Sequence, residues 1–213
     1  LHKFPLDSVL SDEMYLPGTS VTLVDTLLLV YYGFLNDSIA IGKAIEPFSG
    51  SPFVTMAMTK LNINSGEIRR FGYENPKVEG RLSNSCFALS SADGIYVNCY
   101  RYKDLMTVCD LKGNLKYNVY GPGWDDPEKD DNAYFEGAII YDKKIFSAYH
   151  GSSRIVVDGN IQRGAGPKCI IVFGLDGSYK KTIETGSEIW SFCIDEKNNR
   201  IIAYFNDREE PLG

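Results

Sequence analysis

A chain of 213 residues, 44% hydrophobic and 23% charged, is long enough for one sizeable domain and too ordinary in composition for a disordered protein. Its formal net charge of -6 argues against nucleic acid as a partner, because binders of the phosphate backbone need clustered Lys and Arg. The longest apolar run, 27–32, is far too short to cross a bilayer as a helix.

In chain order, 4–10 reads as a short edge strand, since Pro5 is tolerated at an edge and not in a central strand. From Leu16 to Val30 two apolar strands meet at Asp25-Thr26, and 33–52 reads as an insertion. Phe53 to Gly72 then forms a hairpin turning at Ser65-Gly66. The second unit repeats the order: Cys86 to Ala92 meets Ile95 to Cys99 at Asp93-Gly94, and a hairpin centred on Gly113 follows. In the third, Gly137 to Tyr141 meets Ile145 to Tyr149 at Asp142-Lys143-Lys144, an insertion occupies 151–167, and the hairpin 168–186 turns at Asp176-Gly177. A fourth unit supplies Trp190 to Ile194 and Arg200 to Phe205, meeting at 195–199.

The first turns, at Asp25, Asp93, Asp142 and Asp195, recur at intervals of roughly 50 to 70 residues, with no helical period between them. Four short strands per repeat of this length are the pattern of β-propeller blades, with a stack of solenoid hairpins as the alternative. The expected fold is therefore an all-β propeller over 1–213, a single domain of about three full four-stranded antiparallel blades and half of a fourth.

The run Leu6 to Leu10 followed by Leu16 to Asp25, the x-Leu-x-Gly hairpins and the closing 206–211 resemble the bacterial TolB-like six-bladed propeller family. The likeness runs over nearly the whole chain, but its motifs are structural turns. It implies an exported protein of the periplasm or cell surface, in some members a lipoprotein, and a strand within 1–10 that closes the ring from outside. Six blades of about 45 residues need roughly 270, so the chain reads as a partial or reduced-blade propeller. Its first residue is Leu1, consistent with a leader removed or with a piece of a longer product.

Propellers take ligands at the mouth of the central channel, lined by the innermost strands. Those strands are expected to start near Thr19, Phe87, Glu136 and Trp190, which places Glu136 and Trp190 at the mouth. Glu136 is either an acid, base or ligand contact or a solvated loop carboxylate; Trp190 is either a stacking platform for a sugar or a blade-packing residue. Tyr149, His150 and Arg154 border the third unit's insertion, and His150 with Arg154 suits recognition of a polar or anionic ligand. No G-x-S-x-G elbow accompanies His150, so no catalytic residue is assigned. Trp124 is the unusual member of the acidic linker 121–132, because a large aromatic in a polar loop must pack or bind. The aspartates of that linker lack the spacing of a calcium loop, and Arg163-Gly164-Ala165-Gly166 lacks the strand-to-helix context of a phosphate cradle.

The five cysteines form no C-x-x-C pair and read as buried thiols, with Cys99 and Cys109 the one pair placed to face each other across two strands. No metal or cofactor is called for. The function expected is a non-catalytic module binding a protein or a small polar or carbohydrate ligand. A channel-mouth hydrolase or lyase, and a structural piece that self-associates through open sheet edges, are the competing classes.

Overall fold

The computed structural model describes residues 6–11, 14, 28–46, 55–126 and 132–213. Three antiparallel sheets of four strands follow one another along the chain. The first comprises β1 (Leu28–Asn36), β2 (Ile39–Glu46), β3 (Thr55–Asn62) and β4 (Ile68–Arg70). The second comprises β5 (Ser85–Ser90), β6 (Ile95–Tyr100), β7 (Leu105–Asp110) and β8 (Leu115–Tyr120). In the third, β9 (Asn132–Tyr141) and β10 (Lys144–Ser153) are separated from β13 (Cys169–Gly174) and β14 (Tyr179–Glu184) by a separate hairpin, β11 (Ile155–Asp158) with β12 (Ile161–Gly164). A last pair, β15 (Ile189–Asp195) and β16 (Arg200–Phe205), begins a fourth sheet. Ala203 and Gly213 exchange both backbone hydrogen bonds, so 211–213 lies in the place of its third strand.

Within each complete sheet the strands lie in chain order, and β1, β5, β9 and β15 contact one another in succession. First strands inside and fourth strands outside make these sheets the blades of a β-propeller. Strands form where the sequence supplies β-branched and aromatic residues, and the turns form where it supplies a short side chain able to accept from the backbone ahead. Asp110 Oδ1 accepts from the amides of Lys112 and Asn114, each at 2.9 Å, and Asp176 Oδ1 accepts from Ser178 at 3.0 Å.

The blades are joined by apolar layers. Ile41, Met58, Tyr96 and Cys109 lie between the first and second; Val97, Val108, Tyr134, Phe135, Ile145 and Phe173 between the second and third. Phe146, Ala148, Ile170, Val172, Ile189, Ala203 and Phe205 fill the third junction. A buried side chain of this size contributes about 1.5–3 kcal/mol.

Four expectations change. The segment expected as an edge strand over 4–10 holds a short helix, α1 (Leu6–Ser11); its residues 4 and 5 lie outside the described residues. The turn at Asp25-Thr26 and the strand before it, with its start near Thr19, also lie outside them, while 28–30 of the strand expected after that turn opens β1. The span 33–52 is no insertion up to Glu46: it carries the end of β1 and all of β2, turning at Asp37-Ser38, where Asn36 Oδ1 accepts from Ser38 and Ile39. Glycine at 33 and 42 hid this hairpin, and both are there for close approach, since a Cβ on Gly42 would fall 1.9 Å from the Tyr31 carbonyl oxygen. Cys99 and Cys109 do not face each other, because the register pairs Cys99 with Met106 and with Cys86, and Cys109 with Tyr96. All five thiols are free, and Cys193 is exposed rather than buried.

Two turn glycines meet at the junction of the first two blades: a Cβ on Gly113, at φ 90°, would fall 2.5 Å from Gly72 Cα. Gly113→Ala is expected to cost about 2 kcal/mol or more. Gly94→Ala, at φ 68° with nothing within 4 Å, should cost only the left-handed penalty of about 1–2 kcal/mol. Urea midpoints compare the two, and equal losses would remove the close approach from the explanation.

Candidate functional site

At the end of the blades where β6 and β10 run out, charged side chains from three blades come together. Glu136 projects from β9 beside a bulge at Gly137, whose φ of 74° lets the strand turn out of register. His150 and Arg154 follow from β10 and the residue after it, and Arg101 leaves the end of β6. Arg154 Nε lies 3.1 Å from Glu136 Oε1, an ion pair whose angle does not make a hydrogen bond. Glu136 Oε1, Arg154 Nε, Arg101 Nε and His150 Nε2 are thus all buried without a hydrogen-bond partner. Leaving such atoms unmade costs about 1–3 kcal/mol each, more for charged ones.

Electrostatics tie the four together. Burial lowers the His150 imidazole below its ordinary value, against the pull of Glu136 and Glu188 and helped by Arg154 and Arg101. The ring is therefore neutral at pH 7, with one nitrogen free to accept. Burial opposes the Arg101 charge, yet the Glu136 carboxylate and its neighbours leave its pKa raised. Beside them Glu188, 1% exposed, is held by Arg163 at 2.9 Å and by the Gly166 amide at 3.2 Å, while its own amide donates to Asp207.

Of the residues expected at the mouth, Glu136, His150 and Arg154 converge, and the others do not share their role. Tyr149 points to the opposite junction, where its hydroxyl donates to Asp104 Oδ1 at 3.1 Å and its ring meets Phe135 edge-on. Asp104 in turn accepts from Gly123, so Tyr149 anchors the linker of which Trp124 is part. Trp124 packs on Tyr120, with ring centroids 4.9 Å apart, and against Val78, Tyr100 and Leu105, with Lys77 over its face. Trp190 stands 71% exposed on β15, two residues after Glu188. The nearest thiol, Cys86, accepts from the Gly137 amide, and burial raises its pKa, so it stays protonated.

Arg101 and Glu188 were not expected. Arg101 was legible in principle, because it follows the second strand of its unit as Arg154 follows the second strand of the next. Glu188 precedes the innermost strand of the fourth unit and carried no local signal. Among the described residues no group of three or more His, Cys, Asp or Glu is arranged to hold a metal ion. No helix among them is long and apolar enough to cross a membrane.

No protein-family model matches the chain, and no curated protein matches it. Solved structures with a similar course include a member of the DUF4221 family from Bacteroides vulgatus, at 13% identity and a TM-score of 0.43 over 84% of this chain. The β-propeller domain of Myceliophteria thermophila Swd1 aligns at 8% identity and a TM-score of 0.39 over 85% of it. BamB from Moraxella catarrhalis aligns at 11% and 0.30 over 82%. The chain spans 51%, 66% and 78% of their respective lengths. The propeller assignment stands on the chain's own sheets.

A lowered imidazole pKa has a consequence for stability. The unfolded chain, with a His pKa of about 6.5, takes up the proton before the folded one does. The His150 contribution is therefore intact above that pH and is lost as pH falls below it toward the folded-state pKa. His150→Gln should flatten the dependence of urea-unfolding free energy on pH between 7 and 5; identical slopes would contradict the burial of the ring. In Glu136→Gln the ring should titrate lower still by NMR, since the carboxylate that raises its pKa is gone.

Proposed function

We propose that this propeller is a non-catalytic binding module whose channel mouth takes a small polar ligand bearing an anionic group, an acidic sugar being the class that fits best. The observation that supports it is the convergence of Arg101, Glu136, His150 and Arg154 with four buried polar atoms lacking hydrogen-bond partners. Two guanidinium groups against one carboxylate leave the cluster a net positive centre, suited to a carboxylate or phosphate. The neutral His150 and the Glu136 carboxylate accept hydrogen bonds from hydroxyl groups beside that anion. The resemblance to TolB-like proteins extends the proposal to an exported protein of the periplasm or cell surface. A hydrolase working through a covalent intermediate at the same place would need an activated nucleophile, and the nearest thiol is a buried one whose pKa is raised.

A second reading, self-association, is favoured by one feature. Tyr32 and Phe34 form an edge-to-face pair 5.7 Å apart on β1, 55% and 58% exposed, on the blade face opposite to that covered by the second blade. Sedimentation as a function of concentration, with Phe34→Ser as comparison, tests it.

For the principal reading, calorimetric titration with glucuronate, galacturonate and glucose 6-phosphate should show binding of at least one. Arg154→Ala and Arg101→Ala should weaken it at least about tenfold, whereas Trp124→Ala, a packing residue of another junction, should leave it nearly unchanged. Binding unaffected by both arginine changes would move the site elsewhere.

A further inference from the structure

A second polar site lies between the first two blades, and its lining shares no residue with the channel-mouth cluster. A cleft of about 250 Å³ opens between the ends of β2 and β3 and the connection from β4 to β5, and Lys43 forms part of its wall. That volume is just under the range of about 300–1,000 Å³ usual for larger ligands, so the cleft suits a small molecule.

Lys43 is out of place as a scaffold residue. It stands on β2 between Ile41 and Ile45, on the face turned to the second blade, a position whose neighbours are apolar. Its side chain is 1% exposed, and a lysine so buried ordinarily has its ammonium saturated by close partners. Here the partners stand off. Glu74 Oε1 is 3.7 Å from Lys43 Nζ and is already accepting from the Met58 amide at 2.8 Å, and the Tyr100 ring lies 5.9 Å away. A structural ion pair would close to about 2.7–2.9 Å. The amine instead lies buried against the wall of the cleft, with its carboxylate 3.7 Å away.

We propose that Lys43 is a reactive amine at which this cleft takes a small neutral carbonyl compound as an imine. The lone pair of the neutral amine adds to the carbonyl carbon, and the carbonyl oxygen takes a proton to give a carbinolamine. Loss of that hydroxyl with a proton, as water, leaves the carbon–nitrogen double bond; one amine and one aldehyde give one imine and one water, with no change of oxidation state. Glu74, beside the nitrogen and 36% exposed at its side chain, is placed to take the proton from the ammonium and return it to the departing hydroxyl.

The surroundings support a neutral ligand. The charged groups facing the cleft are Lys43 and Arg70 against Glu46, Glu74 and Glu79, and Arg70 is paired with Glu46 at the rim, so an anion meets an excess of carboxylates. The phenols near the amine are Tyr100, whose pKa burial pushes up, and Tyr31, the cross-strand neighbour of Lys43. Burial lowers the Lys43 pKa to about 8, opposed by Glu74 and Glu46. An appreciable share of the amine is then neutral at pH 7, which an ordinary lysine at about 10.4 is not.

Competitive labelling of the folded chain tests the proposal. Propanal at limiting concentration with sodium cyanoborohydride reduces each imine as it forms, and peptide mass spectrometry reads the propylated fraction at every lysine. The exposed Lys112 and Lys116 are internal references. At pH 7 the rate ratio of Lys43 to Lys112 should exceed one, by about tenfold, and should fall as pH rises to 10 and the reference amines lose their protons. In urea the ratio should collapse to about one. A ratio of one or less at pH 7 in the folded protein, or one that does not change with pH, would overturn the proposal and leave Lys43 as a buried structural pair with Glu74. No substitution is needed, so the outcome does not depend on whether a Lys43 variant folds, and it is independent of anion binding at the channel mouth.

Discussion

Each blade carries two apolar faces, and neither is stable in water until the next blade covers it. The layer of Val97, Val108, Ile145 and Phe173 between the second and third blades, and its counterparts on either side, is the contact on which the rest depends. Covering both faces forces successive sheets to stand side by side, which brings first strands to the inside and gathers the ends of β6 and β10 in one place. The polar cluster exists because of that geometry: Arg101, Glu136, His150 and Glu188 come from three blades and meet only when the apolar layers are formed.

The same packing fixes which residues are free for function. Alternation along β10 sends Ile145 and Tyr149 to the second blade and Phe146 and Ala148 to the fourth. The bulge at His150-Gly151 breaks this alternation where β10 leaves the core, and the side chains beyond it are polar. Tyr149, still inside the regular part, becomes a structural phenol on Asp104. His150, one residue on, is left with an unpartnered nitrogen. Lys43 is the exception, a charged residue inside the regular part of a strand, and it lies at the wall of a cleft instead of in a closed layer.

Much of this was legible in the sequence, and the residues show why. The Asp-Gly turns and β-branched arms of the second and third units define their strands to within a few residues, because turn chemistry and period-two burial are local properties. The first unit misled because Gly33 and Gly42 read as breaks, whereas they are sites of close backbone approach inside β1 and β2. The cysteine pairing failed for a related reason: register is fixed by the whole ladder, and three residues of offset set Cys99 opposite Met106 rather than Cys109. Within the site, Glu136, His150 and Arg154 were found from their positions beside an innermost strand and an insertion. Arg101 and Glu188 join them only through packing between blades, which no local pattern encodes. Trp124 drew attention as an aromatic in a polar loop, and its explanation is packing on Tyr120 and Leu105.

The central claim is that four buried polar atoms at the channel mouth are kept without hydrogen-bond partners because a ligand supplies them. A high-resolution crystal structure of the chain with bound glucuronate tests this most directly. The account predicts the carboxylate within hydrogen-bond distance of Arg101 and Arg154, with a sugar hydroxyl on His150 Nε2. A structure in which those atoms close on one another or on neighbouring protein groups, with the sugar acid bound elsewhere or not at all, would contradict it.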